Sequence, residues 1–472
     1  MKILILEAST TSAKAMVYDT KRGALAIENV PYPEDVSDVV SHDAEKEYDI
    51  LMHTGRQAAK GHSIDMIALV GVLHSFMLAG RDFEPLTRIL TWANVECAQT
   101  TANMRQDKDL TYRQYHNTGC MVNAIYPAYK LIHMNRTDTL IKDARICAPG
   151  DYFFYRMTGD WKLTKTISSG SGLLNIHSLF YDTQTLALAN IHESQLPELC
   201  EYDHTAPLQK QSARLLGVKS GIPVVVANSD ASMNQVGAGG LKEGVMTLSV
   251  GTSSALRMTF DTPVIPREPS TWCYYAPTKW MSGAATNSAT NCVDWFVKDL
   301  LSNSMTFDEL EARMPKGEAS YPTFLPFLFG ERCPGWNDER TSSFCGIKGS
   351  ETVGHLYRAL LEGVVFNIYH CYRILTQVGG VPEIVYVSGG ILHSEFWTQM
   401  LADILQREIQ CPDIKQASMT GATAVAMHVA GELDDLSAFQ PPPGRRVAPN
   451  PNMAEFYGQR FQKYLHFYET VI

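Results

Sequence analysis

Two short stretches of this chain repeat each other almost half its length apart. Thr247 to Ala255 (TLSVGTSSA) lies over Ile5 to Ala13 (ILEASTTSA) at a constant offset of 242 positions, matching Thr, Ser or Thr, Ser and Ala in series. The first copy opens as an apolar strand, Lys2 to Glu7, and breaks at Ala8-Ser9-Thr10-Thr11-Ser12; a second strand follows over Lys14 to Asp19, and Ala24 to Val30 completes a meander. A repeat on this scale predicts two domains of like fold, 1–242 and 243–472, each turning one hydroxyl-rich hairpin toward a shared cleft. The length of 472 residues agrees, being too great for one ordinary core. Such a hairpin tip gathers backbone N–H groups and hydroxyls at one point, which suits phosphate oxygens, although either loop taken singly is also an ordinary turn. The P-loop pattern GxxxxGK[ST] is absent, so the two hairpins would have to grip a polyphosphate between them.

The second constraining stretch is Ile222 to Gly240 (IPVVVANSDASMNQVGAGG). Its apolar run reads as a strand buried on both faces, ending in Asn228-Ser229-Asp230 ahead of small residues. A carboxylate at that point is either a general base facing a cleft or the N-cap of the next helix. Between the hairpins, Ile64 to Val72 is a further buried strand leading into His74-Ser75, and Ile89 to Asn94 places Trp92 and Asn94 after an apolar stretch. An indole, an imidazole and an amide are groups that stack on and hydrogen-bond a polyol, or simply pack. Thr118 to Lys130 reads as loop ahead of a helical Leu131 to Met134, and Asp151 to Met157 as a helix with an Asp cap.

Downstream, Tyr321 to Gly335 carries three prolines and a charged corner, Gly330-Glu331-Arg332, that reads as a local ion pair or a ligand contact. Apolar residues at spacings of three and four predict one long helix over Gly354 to Val378, closed by Gly379-Gly380. Ile384 to Val387 is a strand, Gly389-Gly390 a tight turn and Ser394 to Arg407 a helix, an arrangement that lets a nucleotide approach the backbone closely. A net charge of −10 and a pI near 5.8 argue against nucleic-acid or anionic-membrane partners, and no apolar run reaches the ~20 residues of a span. MKILILEAS is a strand start rather than a signal peptide, and the ten cysteines include no C-x-x-C pair, so a cytoplasmic protein with reduced thiols is expected.

The two hairpins, GVLHS with ILTW, NSDASMNQVGAG, LPFLFGERCPGW, RALLEGVVFNIY and SGGILHSEFWTQMLADI together resemble the FGGY carbohydrate kinases over essentially the whole chain. Within that family the text around His74-Ser75, His116 to Gly119, Pro127 to Lys130 and Gly330 to Phe344 is most similar to gluconokinases, with xylulokinases next. The resemblance implies an α/β fold of two duplicated actin-like, ribonuclease H-like domains around an interdomain cleft. It implies ATP and Mg²⁺ as cofactors and a small sugar or sugar acid as partner; a homodimer is expected only as the commonest state of soluble oligomers. Asp230 matches the catalytic base, and Glu7 with Asp230 the metal-holding carboxylates. Thr10, Thr11, Ser12, Lys14, Gly251, Thr252, Ser253, Gly389, Gly390 and Ser394 match the nucleotide side. His74, Ser75, Trp92, Asn94, Lys130 and Asn287 match the sugar side.

Four departures stand out. Glu7 replaces the family's usual Asp, Ala93-Asn94-Val95-Glu96 replaces an acidic or amide pair followed by Arg, Asn123-Ala124 stands where gluconokinases carry His-Pro, and Gln416 stands in place of a Glu. The expected substrate is an open-chain sugar acid, D-gluconate, with a pentulose or polyol as alternative, Glu96 facing solvent and Lys130 as the fixed cation of the pocket. A non-catalytic actin-like scaffold or sugar sensor would keep the hairpins but would not need Asp230 or the His74 and Trp92 pocket.

Overall fold

The computed structural model describes residues 1–135, 140–317, 319–414 and 416–471. Two α/β units follow each other, each an open mixed sheet flanked by helices, which is the expected duplicated arrangement. The first sheet uses β1 (Lys2–Ala8), β2 (Ser12–Asp19), β3 (Gly23–Pro31), β4 (Met66–Gly71), β5 (Thr205–Pro207) and β6 (Pro223–Ser229), in the spatial order β5-β6-β4-β1-β2-β3. The second uses β7 (Val245–Val250), β8 (Ser254–Phe260), β9 (Trp272–Ala276), β10 (Lys279–Thr286), β11 (Ile384–Ser388), β12 (Ile409–Cys411) and β13 (Arg445–Val447), in the order β9-β10-β8-β7-β11-β12-β13. Thus β1-β2-β3 correspond to β7-β8-β10 and β4 to β11, and the second sheet gains one edge strand, β9.

The repeat is not uniform through the hairpin tips. Ala8 pairs with Ala13 across the four residues 9–12, whereas Val250 pairs with Ser254 across the three residues 251–253. The offset of 242 therefore holds along the first strand and becomes 241 beyond the tip, so Ala13 corresponds to Ser254 and not to Ala255. Each first strand also pairs in parallel with a crossover strand, β1 with β4 and β7 with β11. This buries Ile3 to Leu6 completely and explains why β1 reads as a continuous apolar run.

Helix α1 (Ala44–Ala59) is capped by Asp43, whose side chain accepts the Lys46 N–H, and packs on β1 with Gly55 against Leu6. Helix α2 (Asp230–Gly237) follows β6 directly. The long helix α3 (Val353–Gly379) covers the second sheet and ends as expected, with the Gly380 N–H on Thr376 O. Helices α4 (Glu395–Leu405), α5 (Ala417–Val429) and α6 (Ala454–Thr470) complete the second unit. Two local expectations shift. Pro127 already opens a helix, Pro127–Met134, where a proline's missing N–H costs nothing. Asp151 sits inside the helix Pro149–Thr158, accepting the Ala148 N–H at 2.6 Å and the Trp161 indole N–H at 2.7 Å.

The two units meet where α2 crosses α5. An added Cβ at Gly237 would lie 2.1 Å from Ala417 O, and one at Gly421 would lie 1.9 Å from Met233 O, so only glycine permits this approach. Nearby, Thr247 donates to Gln235 Oε1 at 2.5 Å and Thr259 to Gly240 O at 2.8 Å. None of the ten cysteines, all among the described residues, forms a disulfide. Among the described residues no helix is long and apolar enough to cross a membrane.

Candidate active site

Asp230 is the first residue of α2, and the cap belongs to Ser229, whose Oγ accepts the Ser232 N–H at 3.1 Å. The Asp230 side chain accepts the adjacent Ala231 N–H at 2.8 Å, is also held by the Leu73 backbone, and stays partly exposed. Its capping role is therefore taken by its neighbour. Burial, then the negative charge of Glu7, raise its pKa to about 6. A carboxylate with that affinity accepts a proton more readily than an ordinary aspartate and is still largely ionised at neutral pH. For a reaction that needs Asp230 ionised, kcat/KM should fall tenfold per pH unit below about pH 6. Glu7→Gln removes the like charge and should move that limb to lower pH, whatever it does to the plateau; a limb that stays in place would remove Glu7 from the cause.

Glu7 is buried at the end of β1 and makes two contacts that the sequence did not reveal. Its Oε2 accepts from Ser418 Oγ, on α5 of the other unit, at 2.7 Å, and its Oε1 lies 3.6 Å from Lys14 Nζ. The longer side chain thus spans the gap between the units. At the first hairpin, Thr11 is exposed and Thr10 half-buried, while Ser12 is buried and its carbonyl accepts both the N–H and the hydroxyl of Ser9. At the second, Thr252 and Ser253 are exposed, and Gly251 has nothing nearer to an added Cβ than Ser253 O at 4.0 Å. Gly389, at φ 101°, lies against the base of this hairpin, since a Cβ there would meet Val250 O at 2.4 Å. The structure therefore brings Gly251, Thr252, Ser253, Gly389 and Gly390 together. Ser394 is occupied as the N-cap of α4, accepting the Trp397 N–H at 3.0 Å.

On the other side of Asp230, His74 donates from Nδ1 to Gly170 O at 2.6 Å, which leaves Nε2 as an acceptor. Burial, reinforced by Arg332, lowers its pKa to about 3, so the ring is neutral. Tyr126 and Tyr274, which share a 2.9 Å hydrogen bond across the two units, stand edge-on to it at centroid distances of 5.0 and 5.6 Å. Trp92, 43% exposed, donates its indole N–H to Thr10 Oγ at 3.1 Å and so joins this wall to the first hairpin. Asn94 is buried, and Glu96 is exposed as expected. Ser75 turns its hydroxyl back to Leu73 O, and Asn287 donates to Phe329 O. Lys130 is 2% exposed and its ammonium donates to Thr91 O. Burial lowers its pKa to about 8. It braces the Trp92 loop from behind.

Two arginines lie among these groups, Arg332 from the charged corner read in the sequence and Arg257, which sequence reasoning missed. Arg257 projects from β8 beside Asp230, and Arg332 lies beside His74 and the two tyrosines. Neither Nε has a hydrogen-bond partner among the described residues, although both are buried. Glu331, the expected partner of Arg332, turns instead to Arg340 Nη1 at 3.0 Å and Tyr468 Oη at 2.6 Å. Asp338 is shared: Arg105 acts on it more strongly than Arg332 does, and Asn123 donates to it at 3.2 Å. An arginine amid a buried strand was the one available signal for Arg257.

Two hydroxyl-rich hairpins, a group of aromatic and polar side chains around His74, and an aspartate whose pKa is raised to about 6 are the parts that a phosphotransferase acting on a sugar hydroxyl needs. The chain belongs to the FGGY family of carbohydrate kinases, whose N-terminal domain model matches residues 2–237 and whose C-terminal domain model matches residues 246–430. It is 25% identical over 461 residues to the gluconokinase of Bacillus subtilis (strain 168), covering 92% of this chain and 89% of that one. It is 26% identical over 356 residues to the xylulose kinase of Escherichia coli (strain K12), covering 73% and 72%. The crystal structures of gluconate kinase and of ligand-bound xylulose kinase from Lactobacillus acidophilus each match with TM-score 0.93 at 26% identity, over 100% of this chain and 98% of theirs. Whole-chain likeness establishes an ATP-dependent carbohydrate kinase and does not divide the two sugars.

Proposed function

We propose that this kinase phosphorylates the terminal hydroxyl of an open-chain sugar acid, with D-gluconate giving 6-phosphogluconate. Residues 1–242 would hold the base and most of the acceptor site, and residues 243–472 the nucleotide, with Arg257 and Arg332 reaching from the second unit to the acceptor. The observation that carries this reading is the pair of buried guanidinium Nε–H donors, on Arg257 and Arg332, with no protein acceptor among the described residues. Arg257 has Asp230 beside it, whereas the charge of Arg332 is only weakly balanced, so an anionic acceptor would complete the site.

In this reading Asp230 takes the proton of the terminal hydroxyl while that oxygen attacks the γ-phosphorus in line. His74 Nε2 accepts from a sugar hydroxyl, Trp92 covers the sugar chain, and the hairpin donors hold phosphate oxygens. Glu7 and Asp230 would hold Mg²⁺, an ion that needs only one or two carboxylates besides water and phosphate oxygen. The mutual repulsion that raises Asp230 fits such a pair. When bound, the ion supplies neutralisation of phosphate charge. Closure of the units over the acceptor excludes water as a competing nucleophile.

The test is kcat/KM for gluconate against D-xylulose in a coupled ADP assay. Gluconate is expected to lead by at least about tenfold, or ~1.4 kcal/mol. Arg332→Met should lower kcat/KM for gluconate by about 10²-fold, the scale of one lost charge-assisted contact, and for xylulose much less. A tenfold preference for xylulose, or equal losses for both sugars, would overturn the sugar-acid assignment and leave the kinase standing.

A further inference from the structure

We propose that Tyr468, in the last turn of α6, is a positioning residue for the acceptor side of the cleft; this rests on the kinase reading above. Glu331 is 1% exposed and sits at the centre of the loop 331–340. Its carboxylate accepts from Tyr468 Oη at 2.6 Å, Arg340 Nη1 at 3.0 Å and Gly335 N at 3.1 Å. Arg340 lies over the Tyr468 ring with Cζ 3.9 Å from its centroid, and its other terminal nitrogen donates to Tyr468 O. The backbone closes the same loop: Glu331 N–H donates to Asn337 O at 2.9 Å and Trp336 N–H to Arg332 O at 2.7 Å.

The loop carries the two charged groups that meet the acceptor wall. Arg332 follows Glu331 directly, and Asp338 is the partner of Asn123 from the other unit. There is no slack around the anchor, since a Cβ at Gly335 would lie 2.3 Å from Glu331 Oε2 and 2.7 Å from Tyr468 Oη. The ring packs on Phe327, His370 and Tyr464, all outside the two hydroxyl hairpins and α2. Its effect on the acceptor is therefore carried by Glu331 and the loop that holds Arg332 and Asp338. The family model ends at residue 430, so this contact comes from chain beyond the matched region.

Tyr468→Phe removes one hydrogen bond to a charged group. With the acceptor that the parent chain phosphorylates fastest, KM for that acceptor is expected to rise about 5–20-fold, with KM for ATP and the melting temperature almost unchanged. Glu331→Gln should reproduce this split. Tyr464→Phe is the control, because the Tyr464 hydroxyl is buried one turn earlier with no partner among the described residues. Amide hydrogen exchange should speed up over residues 331–340 in Tyr468→Phe and not in Tyr464→Phe. That arm does not depend on turnover, so it tests Tyr468 even if the kinase reading fails. Unchanged acceptor KM and unchanged exchange in Tyr468→Phe would overturn the proposal. So would equal rises in both KM values accompanied by a fall in melting temperature.

Discussion

Asp230→Asn is expected to keep the fold and the nucleotide affinity while lowering kcat by ~10²–10⁴, or about 3–5 kcal/mol in the barrier. The amide fits the same space and still accepts the Ala231 N–H through its oxygen, so α2 loses nothing, its cap being Ser229. What disappears is the one proton acceptor that burial and Glu7 hold near a pKa of 6 at the cleft. Stopped ADP assays give the rate, and nucleotide titration gives the affinity. Turnover within threefold of the parent would mean that another group takes the proton. A loss of nucleotide affinity as large as the loss of rate would place Asp230 on phosphate binding instead.

Gly421→Ala should give one of the largest losses of stability of any glycine-to-alanine change among the described residues. The new Cβ would stand 1.9 Å from Met233 O, a backbone atom that cannot rotate away, so α2 and α5 must separate by more than an ångström. Overpacking of this kind costs about 3 kcal/mol. Because the same crossing joins the two units and sets the distance between Glu7 and Ser418, kcat/KM for acceptor and for ATP should fall together. Urea unfolding followed by two-substrate kinetics measures both effects. Unchanged stability would mean that the helices are not held at this separation.

The architecture was legible in the sequence because it is written twice. Each hydroxyl tip follows a strand buried on both faces, and a repeated pattern constrains a fold far more than either copy alone. The place of Asp230, a lone carboxylate directly after an apolar strand, was legible as well, though not which of base and N-cap it would be. Of the proposed acceptor wall, His74 and Trp92 could be read from the sequence, but the tyrosines and the guanidinium Nε–H left without a partner among the described residues could not, because those groups meet only through tertiary structure. Tyr126 and Tyr274 stand 148 residues apart, and Glu331 is taken up by Arg340 and by Tyr468, the latter 137 residues downstream. Lys130 reads as a pocket cation from its charge alone, yet it lies on the inner face of the helix Pro127–Met134 and finds Thr91 O there. Arg257 hides because strand alternation gives the same pattern for a residue facing a cleft and one facing solvent.

The most direct test of the account is a ³¹P NMR time course of the parent chain with ATP, Mg²⁺ and D-gluconate, with acceptor-free and Asp230→Asn samples alongside. The account requires a new phosphomonoester signal that grows in step with ADP, no inorganic phosphate without acceptor, and almost no signal from the Asn variant. It would be contradicted by ATP hydrolysis that ignores the acceptor, or by the absence of any phosphomonoester with gluconate, xylulose, ribulose, glycerol and fuculose in turn.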